Sequence, residues 1–231
     1  NAIAEPHNGT IWIGGLGRLY SYQNGKWSMY KAPEYRIPAN KLILRPSQGD
    51  KLWVAGMNSK VFLLDYSTTR WLTYNNLNYQ CETKGEGRWF LDVDGRAVYQ
   101  QGESWTAYDA SDGLMDAPVR IICTTKGQAW AAGSHQGVAA TSYFEQGRWH
   151  TTSHPGLSWG IDYRAVFEAA DGSLWFGGCV DSDPQKGHQA GVLHLLNPTA
   201  PEKTFIHLRN QDKGLNQSNA YGIGQTADGR I

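Results

Sequence analysis

Gly9-Thr10-Ile11-Trp12-Ile13-Gly14-Gly15, Asp50-Lys51-Leu52-Trp53-Val54-Ala55-Gly56, Gly87-Arg88-Trp89-Phe90, Gly127-Gln128-Ala129-Trp130-Ala131-Ala132-Gly133 and Gly172-Ser173-Leu174-Trp175-Phe176-Gly177-Gly178 are five versions of one phrase. Each has a polar or glycine turn and a tryptophan beside apolar residues, and in all but the third a pair of small residues follows. The tryptophans are 41, 36, 41 and 45 residues apart. Self-similarity at such a period marks a repeat architecture.

The unit extends outward from each phrase. A second tryptophan follows the first four, at Trp27, Trp71, Trp105 and Trp149, offset by 15, 18, 16 and 19 residues. Turn chemistry precedes it, as in Asn24-Gly25-Lys26-Trp27 and Gln146-Gly147-Arg148-Trp149. Between the two tryptophans lies an alternating stretch, at 18–22, 60–64, 96–100 and 137–143, with a counterpart at 191–195. A further stretch precedes the first tryptophan at 41–45, 120–124 and 164–169. Four short strands per ~40 residues is the blade of a β-propeller. An isolated four-stranded sheet is too small to be stable, so it must bury both faces against neighbours. Large flat indoles at repeated positions are expected to supply that packing, and small pairs such as Gly14-Gly15 or Gly177-Gly178 to let strand ends crowd together. Asn8-Gly9, Lys126-Gly127, Asp171-Gly172 and Asp228-Gly229 are placed to turn the first strand of a unit into the second.

Composition agrees. The 27 glycines and 10 tryptophans, without stretches of helical periodicity, favour strands and tight turns. The fold class read here is all-β, a β-propeller of four-stranded antiparallel blades at 2–40, 41–80, 81–119, 120–162 and 163–219. A sixth blade begins at 220–231. Lys+Arg and Asp+Glu are both 21, so no net field draws the chain toward nucleic acid or an anionic membrane. The longest apolar runs, such as 61–64, fall far short of the ~20 residues a spanning helix needs, so no membrane insertion by this segment is expected. Cys81, Cys123 and Cys179 show neither paired nor metal-type spacing, and their odd number leaves at least one without an internal partner. Buried free thiols are the expectation.

The segment Asp112-Gly113-Leu114-Met115-Asp116-Ala117-Pro118-Val119-Arg120-Ile121-Ile122, running on to Gly127, Trp130 and Gly137-Val138, resembles the regulator-propeller repeat of bacterial two-component and hybrid kinases. Lys213-Gly214-Leu215-Asn216-Gln217-Ser218-Asn219-Ala220-Tyr221-Gly222-Ile223 resembles it too, as does Asp171-Gly172-Ser173-Leu174-Trp175-Phe176-Gly177-Gly178 with Gly191-Val192-Leu193. The third unit departs, with Leu91-Asp92 in place of the small pair. The resemblance implies a sensor domain at the periplasmic or cell-surface side, with seven or more blades per ring and a signalling module elsewhere in the parent protein. On that basis the chain is expected to be an incomplete arc of a larger, about seven-bladed ring. A second chain completing the ring, or a five-bladed closure using residues 220–226 as the seam, are the other closures.

Function has to come from a site, because propellers host many chemistries. Connections from the last strand of one blade to the next, and from the second strand to the third, emerge on one face and form the usual binding mouth. The longest is 179–190, carrying Asp181, Asp183, Lys186 and His188. Beside it is expected 153–162, with His154, Trp159, the one tryptophan outside the repeat, and Asp162. His135, after Gly133-Ser134, is a further candidate. An aromatic among polar groups suits a small molecule or saccharide; a solvated loop is the plain alternative. Asp181-x-Asp183 is two carboxylates where calcium wants six to eight oxygens, so no metal site is read. Asp171-Gly172-Ser173-Leu174-Trp175 resembles the Asp-box turn of sialidases, a feature of architecture.

Three functions compete. A non-catalytic sensor that binds a small molecule or saccharide at the loop face fits best. A propeller glycosidase or lyase would need carboxylate pairs converging on the mouth, and no Ser-His-Asp order, phosphate loop or metal motif supports catalysis. A protein-interaction scaffold, or self-association through open blade edges, would use surface loops or strand edges. No catalytic residue and no cofactor is assigned.

Overall fold

The computed structural model describes residues 2–6, 9–15, 18–31, 42–55, 60–179, 190–209 and 220–231. Among them, 20 strands form five four-stranded antiparallel sheets, each a simple meander. The first sheet is β1 (Ala2–Ala4), β2 (Ile11–Gly15), β3 (Arg18–Gln23) and β4 (Lys26–Tyr30). The second is β5 (Ile43–Pro46), β6 (Lys51–Ala55), β7 (Lys60–Asp65) and β8 (Arg70–Asn75). The third is β9 (Leu77–Glu82), β10 (Arg88–Asp92), β11 (Ala97–Gln101) and β12 (Ser104–Tyr108). The fourth is β13 (Ala117–Cys123), β14 (Ala129–His135), β15 (Val138–Glu145) and β16 (Arg148–Ser153). The fifth is β17 (Ile161–Glu168), β18 (Leu174–Gly178), β19 (Val192–Leu195) and β20 (Phe205–Leu208). The one helix among the described residues is a 3-10 turn, Ala110–Asp112. The chain forms two compact units, Asn1–Tyr79 and Gln80–Ile231.

Within each unit the second-strand tryptophan of one sheet packs against the facing residues of the next. In the first unit Trp12 and Leu19 meet Leu44, Leu52, Val54, Phe62 and Leu64. In the second, Trp89 meets Ala129, Ala131, Ala140 and Trp149, and Trp130 meets Leu174, Phe176, Leu193 and Leu195. Trp12, Trp53, Trp89 and Trp130 are all buried, while Trp175 is half-buried. The indoles of Trp12, Trp89 and Trp130 thus pack one small sheet on the next, as the sequence period leads one to expect.

The fourth-strand tryptophans correct the expectation of uniform burial. Trp27 is 60% and Trp105 46% exposed, whereas Trp149 is 2%. An outermost strand has a sheet neighbour on one side only, so a ring of its own sheet, such as Tyr22 at 5.0 Å from Trp27 or Phe90 at 5.8 Å from Trp105, does not by itself cover the indole. Trp149 has Phe144 of its own sheet at 5.3 Å and also Trp89 of the third sheet at 5.2 Å.

The first turns of several repeats share their bonding. Thr83, Thr124 and Thr226 each accept, at Oγ1, the backbone N–H four residues on, at 3.1, 3.0 and 3.1 Å. Gly127, Gly172 and Gly229, at φ 88°, 83° and 87°, donate back to the carbonyl three residues earlier. That left-handed backbone explains glycine at the turn. The small pairs also act as expected: a Cβ on Gly14 would overlap Leu42 Cδ2, and one on Gly177 would lie 2.5 Å from the Ala220 Cβ.

The Asp112-Gly113-Leu114-Met115 phrase is the link from the third sheet to the fourth. Asp109 caps the 3-10 turn, accepting the Ser111 N–H at 2.8 Å, while Asp112 accepts the Asp109 N–H at 3.0 Å. Gly113, at φ 88°, then passes under β16, where a Cβ would overlap the Trp149 carbonyl oxygen and Thr151 Oγ1 donates to the Gly113 carbonyl at 2.8 Å. Leu114 and Met115 drop into the core beyond it. The link therefore needs an acidic cap, a glycine and two apolar residues in that order. The matching phrase at 213–219 lies outside the described residues.

The cysteine expectation is corrected. Cys81 in β9 and Cys123 in β13 form a disulfide, with Cα atoms 5.6 Å apart. Their separation of 42 residues is one repeat, which puts them on neighbouring first strands. Spacing counted along the chain hides a pair that the repeat brings together. Cys179 is free, as read, and is half-buried.

Candidate ligand-binding site

The fourth and fifth sheets build a cluster at the strand ends that carry the second-to-third and fourth-to-first connections. Its base is a β-bulge. Ile161 pairs with Gly178 and Val166 with Phe176, so four residues of β17 bulge out opposite one of β18. Bulges re-aim side chains, and this one presents Asp162, Tyr163 and Arg164. Asp162 is buried and grips Arg164 through two bonds, Nε to Oδ1 at 2.9 Å and Nη2 to Oδ2 at 2.8 Å. The Asp162 carboxyl is held below its usual range, chiefly by that hydrogen bond. The guanidinium lies 4.4 Å from the Tyr221 ring centre, a cation–π distance. Two of its five donors serve Asp162. Burial raises the Cys179 thiol above its usual value, with Asp162 adding to the effect, so it is a poor nucleophile.

Connection 153–162 closes over this base. The Ser158 carbonyl accepts the Ala139 N–H, Leu157 accepts from Ala190 at 2.8 Å, and Gly160 accepts from Cys179 at 2.9 Å. Cys179 and Ala190 are thereby both tied to it. Trp159 stands out from the connection, 48% exposed. A Cβ on Gly160 would lie 3.7 Å from that of Ser134, so the end of β14 adjoins the connection. There His135 Nδ1 is 3.0 Å from Asp116 Oδ1, and Asp116 also accepts the Gln136 N–H at 3.0 Å. Burial pushes the Asp116 carboxyl up, but these bonds outweigh it and hold the carboxyl low.

His154 faces inward. Its Nε2 is 2.9 Å from Thr141 Oγ1 and its ring packs edge-on to Phe205 at 4.6 Å. Burial, aided by the charge on neighbouring His207, lowers its pKa to about 4, so the ring is neutral at ordinary pH. Trp159, Asp162 and His135 thus gather at one set of strand ends, while His154 props them from within. Asp181, Asp183 and His188 lie outside the described residues. Among the described residues no group of three or more His, Cys, Asp or Glu converges to hold a metal ion, and no helix is long and apolar enough to cross a membrane. Sequence reasoning missed Tyr163, Arg164 and Tyr221. The repeat period places residue 164 at the start of a regular strand, and the bulge is what turns it outward.

Five meandering four-stranded sheets with stacked indoles define the architecture. It is a β-propeller fold. No family model matches the chain and no curated protein matches it. Solved propellers do. A catalytically inactive virginiamycin B lyase from Staphylococcus aureus, solved with quinupristin, matches at TM-score 0.64 and 15% identity over 90% of this chain and 69% of the other. The extracellular domains of two B. thetaiotaomicron two-component systems match as well. BT3049 does so at TM-score 0.55 and 13% identity over 99% of this chain, and BT4673 at 0.59 and 16% over 90%. The propeller segment spans about a third of those two domains, 36% and 30%. At these identities the likeness is one of fold.

Proposed function

We propose that this propeller segment is a non-catalytic ligand-binding part of an extracytoplasmic sensor in a bacterial signal-transduction protein. It takes a small molecule or saccharide at the strand ends that carry Trp159, Asp162, Arg164 and Tyr221. The observation that carries the reading is the bulge that holds Arg164, clamped by buried Asp162, beside Tyr221 in an exposed position. A guanidinium pre-oriented in this way has donors left for a ligand oxygen, and half-exposed Trp159 in the same connection offers a flat apolar face. Asp181, Asp183, His188 and His135 complete the proposed contact set. The Cys81–Cys123 disulfide supports the compartment, since such bonds persist where the surroundings are oxidising. The likeness to extracellular sensor domains points the same way.

The test is a thermal-shift screen against mono- and oligosaccharides and small organic acids, repeated on Arg164→Ala and Trp159→Ala. A ligand that raises the Tm of the wild type and of neither variant supports the reading. Ligands that stabilise all three equally, or turnover of a glycoside, overturn it. A lyase reading has one observation in its favour, the His135–Asp116 pair, in which a carboxylate orients an imidazole. Turnover of virginiamycin-type or glycosidic substrate by wild type that His135→Ala abolishes would favour it, and no turnover by wild type removes it.

A further inference from the structure

The first unit holds a cleft that the site above does not use. It opens among the strand ends that carry the first-to-second and third-to-fourth turns of the first sheet, with Tyr66 of the second sheet as one wall, and its volume is about 350 Å3. That lies within the range of ligand sites, roughly 300–1,000 Å3. Register explains why it exists. Opposite the second-strand tryptophan, the later sheets carry Leu63, Tyr99, Tyr143 and His194 on the third strand. The first sheet carries Ser21 opposite Trp12, and Ser28 opposite Ser21. Ser21 stands where each later sheet carries a large side chain, and Ser28 stands where three of them carry Leu72, His150 and Ile206 and the third sheet carries Thr106.

The walls are chemically consistent. Trp12 lies between Tyr30 and Tyr66, with ring centres 5.0 and 5.1 Å away. Ser21 and Ser28 add hydroxyls, and among the described residues Lys26 is the one charged lining residue. An independent observation marks the same spot. Trp12 Nε1 is buried and, like Trp149 Nε1 and His194 Nε2, has no hydrogen-bond partner among the described residues. The equivalent donors of Trp130 and Trp175 are satisfied by the side chain two residues earlier, Gln128 at 3.3 Å and Ser173 at 3.2 Å. A buried indole N–H left unpaired forfeits the bond it would make in water.

We propose that this cleft is a binding site for a polyhydroxylated molecule of monosaccharide size. Aromatic rings suit the C–H face of a sugar ring, and the serine and tyrosine hydroxyls exchange bonds with its hydroxyls. The claim is independent of the site at Arg164, since it concerns other residues and another set of strand ends.

The experiment follows the indole N–H resonances of uniformly 15N-labelled protein during titration with glucose, galactose, N-acetylglucosamine and glucuronate. The Trp12 peak is assigned by its loss in Trp12→Phe. The expected result is a saturable shift of that peak with at least one sugar. Ser21→Leu, which copies Leu63, should weaken binding at least about tenfold with an unchanged or higher Tm. Ser28→Leu, which copies Leu72, serves if Ser21→Leu does not fold. A Trp12 peak unmoved by the whole panel overturns the proposal, and so does an equal shift in the filled variant. Because Arg164→Ala and Trp159→Ala leave the cleft intact, the two sites stand or fall separately.

Discussion

Glu168 of the fifth sheet holds the first turn of the fourth: its carboxylate accepts the Thr125 N–H at 2.9 Å and the Thr125 hydroxyl at 2.7 Å. Gln225 repeats the device on the fifth sheet, accepting the Ala170 N–H at 2.8 Å. Each stands immediately before the turn of its own repeat. Between the third and fourth sheets that position is Cys123, and the link there is the disulfide to Cys81. One location in the repeat therefore ties consecutive sheets together, by a carboxylate, an amide or a covalent bond.

Glu168→Ala should destabilise the protein by about 1 kcal/mol, the usual worth of a partly exposed charge-assisted bond. Gln225→Ala should lose less, since its bonds, the one accepted from Ala170 and one donated to the Gly229 carbonyl at 3.0 Å, are both between neutral groups. Urea melts decide it; equal midpoints for wild type and Glu168→Ala would remove the tie from the account.

Reduction of the disulfide should lower stability by about 4 kcal/mol on the loop-entropy argument for a 42-residue separation. Cys81→Ser should do the same without reductant. Alkylation of denatured, unreduced protein should label Cys179 alone. Labelling of Cys81 or Cys123 in that experiment would refute the pairing.

Trp130→Ala should be severely destabilising, about 3–5 kcal/mol, because the ring is buried among Leu174, Phe176 and Leu193. Trp27→Ala and Trp159→Ala should each stay within about 1 kcal/mol of wild type. Chemical denaturation of the three variants separates framework indoles from exposed ones. A mild effect at Trp130 would contradict the stacked-sheet account.

The same contrast shows what the sequence could carry. Period is visible in one dimension, so the tryptophan phrases located strands such as Leu174–Gly178 and Val138–Glu145 and the turns at Gly127 and Gly172. Exposure depends on what lies across the gap, and identical fourth-strand positions hold buried Trp149 and exposed Trp27. The candidate site was legible only in part. Connection length and an off-pattern tryptophan led to Trp159 and Asp162, but the bulge that turns Arg164 outward leaves no period in the sequence. The disulfide escaped because its partners are one repeat apart, a distance that has meaning only once sheets are stacked.

His154 makes the fold sensitive to mild acid. In the folded protein its pKa falls to about 4 from 6.5, because burial disfavours the imidazolium and His207 adds like charge. Between those values the unfolded chain binds a proton that the native chain excludes. Stability therefore rises with pH across that window: the contribution is complete above pH 6.5 and is lost as pH falls toward 4, amounting to about 3 kcal/mol. His154→Gln keeps a polar partner for Thr141 and removes the titration. Its unfolding free energy should be flatter than that of wild type between pH 6.5 and 4.5, so the two curves should diverge at the neutral end and converge on acidification. Parallel curves, or an imidazole that titrates near 6.5 by NMR in the folded state, would mean that the ring is solvated and does not brace the connection bearing Trp159.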